Sequence, residues 1–266
     1  MVADHPDAGA SARSAVVTGA AKGIGKATAQ RLLREGVEVV GVDLDADALE
    51  ATARALPGLV SVVGDIGAWE THEHAADAAE ARGRLAYWVN NAGVDRAGGA
   101  HEVDADELEQ SLRVLQLGPM YGCAVAVRRM LATSGGAIVN VSSIQGIAAF
   151  PRYFAYQAAK AAIAMASKGI AVDYGPYGIR CNALLPGAID TPMTRDALAD
   201  APDLAAALRE EGVLSPLERV GTADEMANAV WFLLSDESSY VSGAALVADG
   251  ASTARCFAYP RLDPEG

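Results

Sequence analysis

The sequence predicts a single α/β domain, a doubly wound parallel sheet of the Rossmann type with helices on both faces. Three observations carry that expectation. Short apolar, β-branched runs alternate with amphipathic stretches along most of the chain, the pattern of parallel strands joined by covering helices. A glycine-rich turn, Gly19-Ala20-Ala21-Lys22-Gly23-Ile24-Gly25, stands between the first such run and the first helix-like stretch. With 266 residues, 51% of them hydrophobic, the chain can bury one substantial core without a second domain.

Met1 to Ser14 carries Asp4 and Asp7 and lacks an apolar h-region, so it reads as a disordered leader and not as a secretory signal. The domain itself is expected over 15–250. Ala15-Val16-Val17-Thr18 is the first strand, and Lys26 to Glu35 the first helix, closed by Gly36. The turn between them sets backbone N–H groups and a helix N-terminus where a pyrophosphate can sit. Its spacing, Gly-x-x-x-Gly-x-Gly, differs from the common dinucleotide fingerprint, but strand, turn and helix follow in the order the mechanism needs. A triphosphate loop is excluded. Gly25-Lys26 is followed by Ala27, which offers no hydroxyl for magnesium, and Ala20 stands where the first glycine belongs.

The second strand, Val37 to Val42, ends in Asp43, eighteen residues after Gly25. An acidic group there accepts hydrogen bonds from an adenosine ribose diol and repels a 2′-phosphate. NAD is therefore expected over NADP, against the pull of Lys22 on a phosphate. Val60-Ser61-Val62-Val63-Gly64 leads to Asp65. Tyr87-Trp88-Val89, running into Asn90-Asn91-Ala92-Gly93, and Ile138-Val139-Asn140-Val141-Ser142-Ser143 read as further buried strands. Tyr156 and Lys160, four residues apart, share one face of a helix. A lysine beside a tyrosine favours phenolate, so the phenol pKa is expected below its usual value of about 10. A tyrosine so tuned exchanges a proton with an alcohol or ketone oxygen.

The turn from Thr18 to Gly25, Asn90-Asn91-Ala92-Gly93, Ser142-Ser143, Tyr156 with Lys160, and the run from Asn182 through Pro186-Gly187-Ala188-Ile189-Asp190-Thr191 occur in one order. Together they resemble a classical short-chain dehydrogenase/reductase, from about Ala15 to Gly250. The resemblance implies Tyr156 as general acid/base, Lys160 as its pKa partner and ribose ligand, and Ser143, not Ser142, as the hydrogen bond to the substrate oxygen. For the cofactor it implies Gly19, Lys22, Gly23, Ile24 and Gly25 at the pyrophosphate turn, Asp43 at the ribose, and Asp65 and Ile66 at the adenine. Asn91, Ala92, Gly93, Pro186 and Gly187 complete that site, with Ile189 and Thr191 at the nicotinamide carboxamide. One position departs. Where the family carries an asparagine within Asn-Leu-x-Gly, this chain is read as Gln116-Leu117-Gly118-Pro119. Glutamine keeps the amide and adds a methylene, so Gln116 joins the catalytic set with a proton relay of shifted geometry.

The segment Pro192 to Ser215 resembles the family's variable lid, apolar at Met193, Leu198, Leu204, Leu208, Val213 and Leu214. Gln145, Ile147, Phe150 and Tyr153 lie between Ser143 and Tyr156 and are expected to line the substrate pocket. They suit a medium-sized, largely apolar alcohol or ketone with one hydrogen-bonding group at Gln145. An NADP-dependent 3-oxoacyl-thioester reductase is the rival substrate class. Acidic carrier proteins call for a basic site mouth, and Thr133-Ser134-Gly135-Gly136 and Gly175-Pro176-Tyr177 supply none, so a free small molecule ranks first. A non-catalytic dinucleotide-binding sensor or scaffold is the alternative of a different kind, and Gln116 alone points to it.

The formal net charge of −13 disfavours nucleic acid and anionic membranes as partners. No uninterrupted apolar stretch reaches membrane-spanning length. Cys123, Cys181 and Cys256 are few and odd in number, as expected of reduced thiols in the cytoplasm. His72 and His74 flank Glu73 on an expected surface helix with no second ligand cluster, so no metal is expected there. Ser143 lacks the Gly-x-Ser-x-Gly elbow of a hydrolase. Ala223 to Leu234 reads as a helix and Ala244 to Val247 as the last strand. In similar proteins these pack on symmetry mates, so a homotetramer or homodimer is expected. The extension 251–266, with Phe257, Tyr259, Pro260 and Leu262, is expected to lie across a neighbouring subunit.

Overall fold

The computed structural model describes residues 12–255. The chain runs β1 (Arg13–Thr18), α1 (Gly23–Arg34), β2 (Glu38–Asp43), α2 (Ala46–Ala55), β3 (Leu59–Val63), α3 (Trp69–Glu80) and β4 (Arg84–Asn90). Next come α4 (Ala105–Leu112), a π-helical turn (Arg113–Leu117) and α5 (Gly118–Leu131), then β5 (Gly136–Val141), α6 (Phe154–Tyr174) and β6 (Ile179–Pro186). The last part holds β7 (Ile189–Asp190), α7 (Pro192–Ala197), α8 (Leu204–Val213), β8 (Gly221–Thr222), α9 (Ala223–Leu234) and β9 (Ala245–Ala248).

Seven strands form one parallel sheet in the order β3-β2-β1-β4-β5-β6-β9, and β7 pairs with β8 apart from it. The order reverses between β1 and β4. At such a switch point the connections leave in opposite directions and open a crevice at the carboxyl ends of the strands.

Strand side chains alternate faces, and here both faces are covered. Ala15 and Val17 join Leu32, Leu49 and Val230 in one layer, while Val16 joins Trp88, Met130 and Ile138 in the other. That double burial is why the strands read as unbroken apolar runs. β1 begins at Arg13, inside the expected leader, and residues 1–11 lie outside the described part. α1 begins at Gly23, three residues before the expected Lys26, because the last glycines of the turn are already helical. α9 covers Ala223–Leu234 as expected, opened by a reciprocal cap between Thr222 and Glu225.

His72 overturns its expected surface placement. It is 1% exposed, its Nε2 lies 2.7 Å from the Ile66 carbonyl oxygen, and its ring meets those of Trp88 and Tyr121. Burial holds this imidazole below its ordinary pKa. Among the described residues no group of three His, Cys, Asp or Glu side chains is placed to hold a metal, and no helix is long and apolar enough to cross a membrane. Cys123 and Cys181 are buried free thiols, whereas Cys256 lies outside the described residues. The described start of the C-terminal extension folds back onto the 192–215 segment of its own chain, with Arg255 donating to the Leu214 carbonyl at 2.7 Å. Phe257, Tyr259, Pro260 and Leu262 lie outside the described residues.

Candidate active site

The crevice is assembled where β1 and β4 end. Thr18 Oγ1 accepts from the backbone N–H groups of Asn91 (3.0 Å) and Ala92 (3.1 Å), while Asn91 Nδ2 donates to the carbonyls of Thr18 (3.0 Å) and Gly19 (3.2 Å). The turn and the Asn91-Ala92-Gly93 segment are thereby locked together. Only glycine fits two of the positions. Gly19 has φ +68°, and a Cβ on Gly25 would stand 2.0 Å from the Gly19 carbonyl oxygen. Thr191, which caps α7, faces the same turn: a Cβ on Gly23 would lie 3.5 Å from its side chain. Ile189 is buried just before it, and the Gly187 N–H donates to the Ala248 carbonyl at 3.0 Å, fixing the end of β6 that follows Pro186.

The chemistry of this cradle fits a dinucleotide. The side chain of Lys22, which precedes α1, makes no capping bond, and the first turn, including Ile24, holds no acid. Its N–H groups are left for an anion, which the helix dipole also favours. Asp43, at the end of β2, accepts from Ala21 N–H (2.9 Å) and Asp45 N–H (3.1 Å), so its carboxylate is anchored against the turn. Lys22 lies 4.0 Å from Asp45 at the surface, a weak tether. Asp65 accepts from the Gly67 N–H at 2.8 Å, and Ile66 is buried against Gly118.

The candidate acid–base residues lie on the other side of the crevice. α6 carries Tyr156 and Lys160 on one face, with Lys160 Nζ 5.5 Å from the Tyr156 ring centre. Lys160 is buried, and its Nζ donates to the Val141 carbonyl at 3.0 Å. Its own carbonyl accepts from Ser142 Oγ at 2.7 Å, which ties α6 to β5. Ser143 Oγ accepts from the Gln145 N–H at 3.1 Å and lies within hydrogen-bonding reach of the Tyr156 hydroxyl.

The expected depression of the tyrosine pKa is corrected here. Burial pushes Tyr156 up to about 12, against the pull of Ser143, and pushes Lys160 down to about 8. Desolvation penalises the charged form of each group, and it outweighs the ammonium beside the ring. The chain by itself holds a protonated phenol at neutral pH.

A second correction concerns Gln116. The π-helical turn brings Leu115, not Gln116, into the centre. Leu115 Cδ2 comes within 3.5 Å of a Cβ built on Gly93, with Lys160 Nζ at 3.8 Å from the same point. Leu115 is 1% exposed, whereas the half-buried Gln116 forms no side-chain hydrogen bond with Ser143, Tyr156 or Lys160. The sequence held the signal. In Asn-Leu-x-Gly the glycine follows three residues after the asparagine, and counting back from Gly118 reaches Leu115. The position where the resemblance expects the relay asparagine therefore carries an apolar side chain, Leu115.

Of the expected substrate residues, Tyr153 meets Tyr156 edge to face, with ring centres 5.9 Å apart. Phe150 walls a surface cavity with Ile144, Ala148, Leu214, Thr253 and Arg255, while Gln145 lines another beside Phe154 and Gln157. The Gln145 Oε1 is buried without a hydrogen-bond partner, and Ile147 is 57% exposed. Asp95 escaped notice in the sequence although it closely follows Asn90-Asn91-Ala92-Gly93. Its exposed carboxylate faces the Tyr153 hydroxyl, and desolvation raises its pKa.

The family model described as enoyl-(acyl carrier protein) reductase matches residues 19–253. The chain is 41% identical over 254 residues to 2-(R)-hydroxypropyl-CoM dehydrogenase of Xanthobacter autotrophicus, covering 91% of this chain and 99% of that protein. It is 35% identical over 248 residues to 3beta-hydroxysteroid dehydrogenase 1 of Eggerthella lenta, covering 91% and 94%. The crystal structure of levodione reductase superposes with a TM-score of 0.86 at 32% identity, covering 91% of this chain and 98% of that one.

Proposed function

The chain belongs to the short-chain dehydrogenase/reductase family, NAD(P)-dependent oxidoreductases of CH–OH groups, and from that premise we propose that it interconverts a free secondary alcohol and its ketone with NAD. The observation that carries this reading is the convergence of Ser143, Tyr156 and Lys160 beside the glycine cradle. When bound, the nicotinamide accepts or supplies the hydride. Gly19, Gly23, Ile24 and Gly25 hold its pyrophosphate, Asp43 the adenosine ribose, and Asp65 and Ile66 the adenine. Asn91, Ala92, Gly93, Pro186, Gly187, Ile189 and Thr191 line the nicotinamide side, and Lys160 binds that ribose.

Tyr156 gives its phenolic proton to the ketone oxygen in reduction and takes the hydroxyl proton in oxidation. Ser143 donates a hydrogen bond to the same oxygen. Because the phenol is protonated near neutrality, reduction starts from the resting state of the residue. The anchored carboxylate of Asp43 supports NAD over NADP, since a 2′-phosphate would meet a negative charge there. Absence of a basic patch in the residues 133–136 and 175–177 supports a free substrate over a carrier-bound thioester. The buried free thiols support a cytoplasmic protein, and a homotetramer or homodimer is the proposed assembly. The net charge supports neither nucleic acid nor membrane as partner.

The test is a screen for cofactor reduction with alicyclic, aromatic and hydroxyacyl alcohols, run with NAD and NADP. NADH formation that disappears in Tyr156→Phe supports the proposal. Tight NAD binding with no turnover of any alcohol, and none of the matching ketones in reverse, would favour the sensor reading.

A further inference from the structure

We propose that the cavity between the end of α8, the C-terminal turn and the segment after Ser143 receives the far end of a small anionic substrate, a hydroxy or oxo acid whose acid group pairs with Arg255. The inference rests on the oxidoreductase reading above and narrows its substrate class.

The cavity stands beside the candidate acid–base pair because its inner wall is tied to both members. Ile144 follows Ser143 directly, and the Phe150 N–H donates to Gln157 Oε1 at 3.1 Å, one residue past Tyr156. The outer wall is the C-terminal turn, which is built by its own bonds. The Asp249 carboxylate accepts from the N–H groups of Ala251 (2.9 Å) and Thr253 (2.8 Å) and from Thr253 Oγ1 (2.7 Å). Ser215 Oγ donates to the Gly250 carbonyl at 2.9 Å, so the turn is fastened to the end of the 192–215 segment. Arg255 leaves this turn at the cavity wall and donates to the Leu214 carbonyl at 2.7 Å. A substrate whose reacting oxygen meets Tyr156 and Ser143 would extend its far side toward that guanidinium.

The lining selects the ligand. Ile144, Ala148, Phe150 and Leu214 offer an apolar surface, and among the described residues on the wall Arg255 is the one that carries a charge. The hydroxyl protons of Thr253 and Ser252 already go to the Asp249 carboxylate and carbonyl, at 2.7 Å each, so Arg255 supplies the donors that face the cavity. A guanidinium holds five N–H donors in a planar fork. One is taken up by Leu214, and Arg255 makes no ion pair among the described residues. A planar oxyanion matches the remaining edge of the fork, whereas an ammonium would be repelled. Size narrows the class further. The cavity holds about 290 Å³, at the small end of the roughly 300–1,000 Å³ of ligand pockets, which suits one ring or a short chain and excludes a fused multi-ring body.

Three secondary alcohols of increasing reach test this: 4-hydroxypentanoate, 6-hydroxyheptanoate and 8-hydroxynonanoate, each against its own carboxamide, which has the same shape and no charge. Dissociation constants are measured by calorimetry with NAD present, in the Tyr156→Phe background where turnover is blocked. At least one acid should bind roughly tenfold or more tightly than its amide, as expected of a charge-assisted bond. Adding Arg255→Gln, or Arg255→Ala as a second variant, should bring that acid within about threefold of its amide. If no acid outbinds its amide, or if the preference survives both substitutions, the subsite is overturned. Hydride transfer from the same alcohols, and to the matching ketones, is read separately with Tyr156 intact. Transfer without any preference for an acid would remove the subsite and leave the oxidoreductase reading standing. Preference for an acid without transfer in either direction would sink the oxidoreductase reading while upholding the subsite.

Discussion

On the cofactor side of the crevice, Thr18, Gly19, Asn91 and Ala92 share four hydrogen bonds between adjacent strand ends. On the side of the proposed substrate pocket, backbone bonds such as those of Gly98 to Arg152 and Phe154 are joined by ion pairs at the surface, Arg195–Asp190 and Arg152–Glu102. The first kind of tie is backbone, or side chain to backbone, and continues the sheet. The ion pairs contribute about 0–1 kcal/mol each and are screened by salt. The lid also leaves Met193, Val213 and Leu214 exposed, where the glycine cradle leaves no room for a methyl group. The first wall is locked by the fold, and on the proposed reading the second, with its exposed apolar side chains, is the one that varies with substrate.

The strongest way to break this contrast acts on the centre itself. Tyr156→Phe should cut turnover by a factor on the order of 10²–10⁴ while leaving NAD affinity near wild type. Retention of most turnover would remove Tyr156 from the acid–base role. In the unmutated protein, alcohol oxidation needs the deprotonated phenol, so its rate should fall as pH drops from about 9 to 6. Ketone reduction draws on the protonated phenol, present throughout that range, and should not fall with it. A pH profile with the two trends exchanged would contradict the assignment.

Lys160→Met separates stability from function. Lys160 is buried with its pKa pushed down to about 8, so the charge opposes folding. Removing it should abolish turnover yet leave the cofactor-free protein equally stable, or more stable by on the order of 1–2 kcal/mol, read from denaturant midpoints. A large destabilisation would mean that the Val141 hydrogen bond matters more than the buried charge.

The cofactor wall should respond to Asp43→Ala with a loss of discrimination. Wild type should prefer NAD over NADP by at least about tenfold, and the variant should narrow that gap because the carboxylate that repels a 2′-phosphate is gone. Equal affinities before mutation would remove Asp43 from the ribose.

Smaller effects sharpen the comparison. Gln116→Asn should change turnover by less than about twofold, because Gln116 lies beside the relay position and not in it, whereas Leu115→Asn puts an amide next to Lys160 and should change turnover several-fold. The reverse ranking would restore Gln116 to the centre. Smallest of all, deleting the residues after Thr253 removes the Arg255 bond to Leu214, and for a neutral alcohol a KM change of about twofold without loss of stability is expected. An unchanged KM would leave that contact without a role at the lid.

Much of this architecture was legible in local spacing. The alternation that set Ala15 and Val17 apart from Val16, the glycines before α1, and the interval between Tyr156 and Lys160 are backbone periodicities, fixed over a few residues whatever lies elsewhere. Tertiary structure decided the rest. The direction of the Tyr156 pKa depends on how much packing strips water from the phenol, and no i to i+4 rule carries that information. Leu115 reached the relay position because a π turn rotated the helix, and His72 went inward because Trp88 and the Ile66 carbonyl were there to receive it. Asp95 came to face Tyr153 only when Gly98 bridged two loops far apart in the chain. Periodicity fixes which residues share a face, while desolvation and loop apposition arise from long-range contacts that no short window of sequence contains.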